Sequence, residues 1–191
     1  MATNFFRFLV VLSIAFPALA AEVAGVKLED KDRVANSELV LSGAGLRKRA
    51  FFQVYAIGLY LPERKTVAAE AIAAPGPKRV AIHMLRDVDA GDLAGALADG
   101  MKDNLSEAET KALEPRTKQL SAIMGEMKEA KKGMRITLDW APAAGTQLTV
   151  EGKPAGAPIP GEDFYRALLR IWLGDKPVQD DLKKALLGEK Q

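Results

Sequence analysis

Gly43-Ala44-Gly45-Leu46-Arg47, then Lys48-Arg49, lead into Ala50-Phe51-Phe52-Gln53-Val54-Tyr55-Ala56-Ile57-Gly58-Leu59-Tyr60-Leu61, and Pro62 closes the run. The segment from Ala50 to Leu61 is too continuously apolar for a strand with one wet face. It reads as a central strand covered on both sides. Gly43-Ala44-Gly45 reads as the turn before it, so that Arg47 stands at the mouth of an apolar strand. An apolar wall with a guanidinium at its edge suits a ligand that is greasy at one end and anionic at the other.

Outward from this strand the periodicity alternates between two and about 3.6. Val26-Lys27-Leu28-Glu29 and Glu38-Leu39-Val40-Leu41 predict short strands on the N-terminal side. On the other side Val67 to Ala74 predicts a weak, Ala-rich helix, and Arg79 to Leu85 a strand with Val80, Ile82 and Met84 on one face. Asp89 is a plausible N-cap for a helix carrying Leu93, Leu97 and Met101. Ser106 with Glu109 forms a capping box, and Pro115 is expected to interrupt the helix that follows. Leu120, Ile123, Met124 and Met127 make one apolar stripe among Lys and Glu residues.

Period two returns at Met134, Ile136, Leu138 and Trp140. Pro142 to Gly145 is the turn to a strand with Leu148 and Val150. The Pro/Gly-rich stretch from Gly152 to Gly161 reads as a connector. Two helices close the chain, one with Phe164, Ala167, Leu168, Ile171 and Trp172 in phase, capped near Gly174, the other after Pro177 with Val178, Leu182, Ala185 and Leu186. The order predicts an α+β fold: an antiparallel sheet with a helical layer on one face.

Residues 1–20 carry the pattern of an export signal. Arg7 precedes the short apolar core from Phe8 to Phe16, and Ala18-Leu19-Ala20 is a small-x-small cleavage pattern. The expected product is one domain over 21–191, periplasmic or secreted, with no further stretch apolar enough to span a bilayer. The 191 residues contain no cysteine, which removes disulfides, thiol catalysis and thiolate metal sites, and is compatible with an exported bacterial protein. Lys+Arg 27 against Asp+Glu 25, interspersed, leaves no basic stripe for a nucleic acid and no polybasic cluster of the kind a membrane-surface protein carries.

Few residues are candidates for chemistry. His83 is the sole histidine, so a His-rich metal site is excluded, and no G-x-S-x-G elbow supplies it with a nucleophile. It is expected to be a structural, hydrogen-bonded histidine within a strand. Gly43-Ala44-Gly45 lacks the full spacing of a phosphate cradle and has no helix after it. Glu162 and Asp163 open a helix, where the dipole favours carboxylates; a catalytic pair there is a weaker alternative. Arg47, beside Lys48 and Arg49, reads either as a solvated charge or as an anion anchor. No metal or cofactor is expected.

Gly45-Leu46-Arg47 followed by Val54-Tyr55-Ala56-Ile57-Gly58-Leu59-Tyr60-Leu61 resembles the arginine turn and central strand of the chalcone isomerase family. Ile159-Pro160-Gly161-Glu162, Leu168-Leu169, Trp172-Leu173-Gly174 and Pro177-Val178 resemble its closing helices. The resemblance covers essentially the whole chain after residue 20. It implies an open-faced β-sandwich, a large antiparallel sheet overlaid by helices with the ligand cleft between them. In the plant enzymes the arginine steadies the charge that develops as a flavanone ring closes, and Arg47 stands at that position. Their threonine before Ala-Ile-Gly is Tyr55 here. Their tyrosine and asparagine after the next strand have no counterpart between Arg86 and Met101, and Glu162-Asp163 replace the threonine or serine after Ile-Pro.

The resemblance also implies fatty-acid-binding relatives in which an arginine and a tyrosine hold a carboxylate, and Arg47 and Tyr55 suit that role. Three readings follow. The first is an exported protein binding a small amphipathic, fatty-acid-like carboxylate, with Arg47 and Tyr55 as ligand-binding residues. The second is an intramolecular lyase or isomerase with Arg47 catalytic. The third is a non-catalytic envelope interaction module in which Arg47 makes a buried ion pair.

Overall fold

A computed structural model describes residues 21–189; the predicted export signal over residues 1–20 lies outside them. Three short strands come first: β1 (Ala21–Val23), β2 (Val26–Leu28) and β3 (Lys31–Val34). The long hairpin β4 (Ser37–Arg49) and β5 (Phe52–Leu61) follows, then α1 (Ala68–Ala73), β6 (Lys78–Met84) and the two-residue β7 (Val88–Asp89). Next come α2 (Ala90–Asp103), α3 (Glu107–Gly125), β8 (Glu129–Ala130), β9 (Arg135–Ala141), β10 (Gly145–Val150) and β11 (Lys153–Ile159). The helices α4 (Glu162–Leu173) and α5 (Asp180–Leu186) close the chain.

Seven strands form one antiparallel sheet in the order β11-β10-β9-β6-β5-β4-β3. β5 is internal, as its sequence predicts, and every residue from Tyr55 to Leu61 is buried. Its alternate residues serve two cores. Tyr55, Ile57, Leu59 and Leu61 join Val80, Ile82, Met84, Ile136, Leu138 and Trp140 beneath the helices. Tyr60 faces the other way, with Ala81, Leu28, Val34, Leu39 and Leu41, under a smaller cover made by β2 and β3. The Tyr60 hydroxyl donates to the Glu29 carbonyl at 3.0 Å and ties that cover down.

The helical layer is centred on α4, whose Phe164, Tyr165, Ala167, Leu168, Leu169, Ile171, Trp172 and Leu173 are all buried. A helix buried this fully must sit against both the sheet and its neighbouring helices. The Tyr165 hydroxyl donates to the Leu138 carbonyl at 2.9 Å, fixing it to the sheet. Asp89 caps α2 through Gly91 and Asp92, and the Ser106–Glu109 capping box begins α3, both as predicted.

Three expectations need correction. Gly43-Ala44-Gly45 is not a turn but lies inside β4. The glycines let α5 approach: a Cβ on Gly43 would stand 2.2 Å from the Ala185 carbonyl oxygen, and one on Gly45 2.6 Å from the Leu182 side chain. Pro115 does not interrupt α3, which runs through it. A proline inside a helix costs about 3 kcal/mol, and the burial of Leu113, Leu120, Ile123 and Met124, at ~1.5–3 kcal/mol each, outweighs it. The stretch 152–161 is mostly strand, because β11 is an edge strand where Pro154 and Pro158 are tolerated.

Candidate functional site

A bulge aims Arg47. Along β4, Leu41 pairs with Tyr60 and faces the smaller core, yet Gly43 pairs with Leu59 on the helix side. The register shifts by one residue at Ser42, so odd-numbered residues cross from one face to the other. Ser42 Oγ donates to the Lys65 carbonyl and accepts from the Lys65 N–H, each at 3.1 Å, which holds the bulge. Beyond it Arg47 pairs with Tyr55 across the strands, and the two side chains share the helix-facing side. The two are direct neighbours on adjacent strands of the hairpin.

Gln179, at the N-cap of α5, seats the arginine. Its Nε2 donates to the Leu46 carbonyl at 3.0 Å, and its Oε1 accepts from the Lys48 N–H at 2.8 Å and from Arg47 Nη1 at 3.3 Å. Nη1 also donates to the Lys48 carbonyl. Both N–H groups of Nη1 are therefore used, and the guanidinium also lies within hydrogen-bonding reach of the Tyr55 hydroxyl; among the described residues no carboxylate takes its Nε–Nη2 edge, the fork that fits one. Among the described residues no carboxylate pairs with Arg47.

Tyr55 is buried, and Trp172 Nε1 donates to its hydroxyl oxygen at 3.1 Å. An indole N–H can only donate, and so can a guanidinium. The Tyr55 oxygen is thus held as an acceptor, and its own O–H hydrogen is left for an acceptor that Trp172 and Arg47 cannot provide. Burial pushes the Tyr55 pKa up, and the Trp172 hydrogen bond, the Arg47 charge and a hydrogen bond from Arg47 offset this only in part. The hydroxyl stays a neutral donor throughout the physiological range. Cation and phenol together present donors to the space beside them, with no carboxylate among the described residues to take them.

These groups open on a cleft of about 660 Å³ between the β4–β5 end of the sheet and α2. Val54, Leu93, Leu97, Ile171 and Val178 supply its apolar lining. The cleft exists because α2 turns Gly91, Gly95 and Ala96 towards it; a Cβ on Gly95 would meet nothing within 4 Å. Asp92, Asp99 and Asp103 also line the α2 side, so the positive potential is confined to the Arg47 end. Sequence reading missed Gln179, the donor role of Trp172 and the small-residue face of α2. The run Gly91, Gly95, Ala96 at helical spacing was the one available signal.

The other candidates are occupied elsewhere. His83 lies on the face of the sheet opposite Arg47, next to Arg135; burial and then that charge hold its pKa below the ordinary histidine value. No hydrogen bond from its imidazole was found among the described residues, so the expected hydrogen-bonded role is not what the structure shows. Glu162 accepts from the fully buried Lys78 at 3.0 Å and from Arg166, and Asp163 takes a bidentate pair from Arg116 at 2.7 and 2.6 Å. Both carboxylates serve the start of α4. Among the described residues no cluster of three His, Asp or Glu side chains could hold a metal.

A sequence model of the family described as chalcone isomerase-like matches residues 20–188. Among curated proteins none matches the sequence. Among solved structures the fold is similar to that of a fatty-acid binding protein of Arabidopsis thaliana, with a TM-score of 0.69 and 14% identity, over 85% of this chain and 92% of that one.

Proposed function

The chain belongs to the chalcone isomerase-like family, and on that premise we propose that it binds a small amphipathic carboxylate of the fatty-acid kind in the α2 cleft. The observation that carries this reading is the donor set at the cleft's inner end: an Arg47 guanidinium with no ion pair among the described residues, beside a Tyr55 hydroxyl whose oxygen accepts from Trp172 and whose hydrogen has no acceptor among those residues. A carboxylate satisfies both, with two parallel bonds to the arginine and one from the phenol. The acyl chain lies along Val54, Leu93, Leu97, Ile171 and Val178. The volume is within the ~300–1,000 Å³ common for small-molecule sites. Repulsion from Asp92, Asp99 and Asp103 keeps the head group at the arginine.

The α2 wall favours binding over a lyase reaction. Where the plant enzymes carry a tyrosine and an asparagine, this wall offers Gly91, Asp92, Gly95 and Ala96. Export is part of the same reading and rests on the signal pattern of residues 1–20; a mature N-terminus at Ala21 on the purified protein checks it. The binding itself is tested by mass spectrometry of lipid extracted from the purified protein and by displacement of a fluorescent fatty acid. Co-purified acid and saturable binding weakened by Arg47→Ala are expected. An empty protein that also fails to bind labelled fatty acids overturns the reading.

A further inference from the structure

The β4–β5 hairpin ends in a turn at Ala50 and Phe51 that the fold itself does not use. Phe51 is 99% exposed and Phe52 57%, and with Val67 they are the large apolar residues left exposed among those described. Ala50 holds a left-handed backbone, φ 52°, where Gly or Asn would be more comfortable. The turn thus combines a strained alanine with two aromatic rings that bury nothing. One contact is made: the Arg86 guanidinium lies over the Phe52 ring, 4.3 Å from its centroid.

Basic residues from separate segments of the chain gather around the turn. Lys48 and Arg49 on β4 are exposed, and neither they nor Arg86 are in an ion pair among the described residues. Lys131 and Lys132 lie in the adjoining loop, which Asp87 binds by accepting the Lys132 N–H at 2.7 Å. The nearby carboxylates Asp87 and Asp89 are exposed as well, but each accepts from backbone: Asp87 from the Lys132 N–H and Asp89 from the N–H groups of Gly91 and Asp92. Asp92 lines the cleft.

We infer that this turn is a membrane prong, which inserts Phe51 and Phe52 at the headgroup–acyl boundary of an anionic bilayer. Aromatic rings favour that depth, and a collar of Lys and Arg reaches back to the lipid phosphates. A protein partner fits less well. A stable interface buries about 800 Å² on each side, and here the apolar surface is two rings on one turn, with Val67 far along the chain at the start of α1. The prong sits beside the cleft. A depression of about 440 Å³ lined by Arg49, Phe52, Val54, Arg86, Val88 and Asp92 shares Arg49, Val54, Val88 and Asp92 with the Arg47 cleft. Docking here sets the mouth of the cleft at the lipid surface, from which an amphipathic acid can pass to Arg47. The docking stands without the acid-binding reading; the route rests on it.

The chain has no cysteine, so Gln53→Cys on the exposed start of β5 takes a single polarity-sensitive dye. The dye reports the prong itself, whatever else in the full chain touches lipid. With phosphatidylcholine vesicles containing one-third phosphatidylglycerol, the dye signal shifts to an apolar environment, and high salt or Lys48→Glu with Arg49→Glu reverses the shift. Phe51→Ser with Phe52→Ser weakens the vesicle-dependent shift by about tenfold or more. It leaves the thermal melt and the binding of fatty acid in solution unchanged, which separates this test from that of the acid site. A dye that stays in water while the protein sediments with vesicles overturns the inference. So does an equal shift in the double-serine variant, or self-association or protein capture through the prong with no response to the vesicles.

Discussion

Arg47 and Arg79 stand two strands apart on opposite faces of one sheet, and their surroundings differ in one decisive respect. Arg79 is closed. Its Nε and Nη2 donate to both oxygens of Asp139, its cross-strand partner, at 2.6 and 2.5 Å, and its Nη1 reaches Asp32 at 2.6 Å. Asp32 also takes Arg135 at 2.7 Å, so one residue of β3 binds two strands of the main sheet. Arg47 is open: it is held by neutral acceptors, and among the described residues no carboxylate pairs with it. What distinguishes a structural guanidinium from a ligand-binding one is thus the set of acceptors around it, which residue type and local sequence do not reveal.

Removing each arginine separates the two roles. Arg79→Ala leaves Asp139 without its cation, and Asp32 with Arg135 alone, in a setting where the Arg79 and Asp139 side chains are only 11% and 12% exposed. Breaking such a pair from one side costs about 3–5 kcal/mol, read as a lower urea midpoint with fatty-acid affinity per folded molecule unchanged. Arg47→Ala should do the reverse. It loses hydrogen bonds to a charged ligand worth ~1.5–3 kcal/mol, about 10- to 100-fold in affinity. Its stability falls by less than about 1.5 kcal/mol, the value of the contacts to Gln179 and Lys48. Equal losses of stability in the two variants would abolish the distinction.

Much of this was legible before the structure. The continuous apolarity of Val54 to Leu61 marks a strand buried on both faces, and the phase of Phe164 to Trp172 marks the central helix. Arg47 and Tyr55 were nameable from their resemblance to the family pattern. What sequence could not supply was how the pair meets. The one-residue bulge at Ser42 inverts the parity of β4, and no local composition announces a bulge held by a contact to Lys65. Glycines read as a turn for a similar reason: a glycine needed for φ and one needed for space look alike until the neighbouring element is known. Gln179 acts across more than a hundred residues of chain and carries no motif.

The glycines allow the open region to be disturbed from behind. Gly43→Ala forces a Cβ against the Ala185 carbonyl and the Leu186 backbone, so α5 must shift, and Gln179 at its N-cap moves with it. Overpacking of this kind costs about 1–3 kcal/mol. Unlike Arg79→Ala, it should weaken acid binding as well as stability, because Arg47 loses its seat; a melt and a titration on the same sample check both. Tyr55→Phe is a smaller change. One neutral hydrogen bond to the ligand is lost, ~0.5–1.5 kcal/mol, or about two- to tenfold in affinity. The Trp172 N–H is left buried without its acceptor, so a modest loss of stability accompanies it. Affinity equal to that of the wild type would remove Tyr55 from the site.

The smallest effect separates the two arginines by pH. Burial works to raise the Asp32 pKa, but the Arg79 hydrogen bond, the Arg33 N–H and the charges of Arg79 and Arg135 outweigh it, and the folded-state value is below the ordinary 3.8. A depressed carboxylate stabilises the fold above its unfolded pKa, and that contribution is lost as pH falls through the folded one. The wild type therefore loses stability between about pH 5 and pH 3 more steeply than Asp32→Asn, which has already lost the pairing. Arg47→Ala should keep the full wild-type slope, since among the described residues no carboxylate is ion-paired with that guanidinium. Urea midpoints at three pH values decide it. A flattened slope in Arg47→Ala would mean that Arg47 pairs with a carboxylate in solution, and the open arginine would then be a closed one.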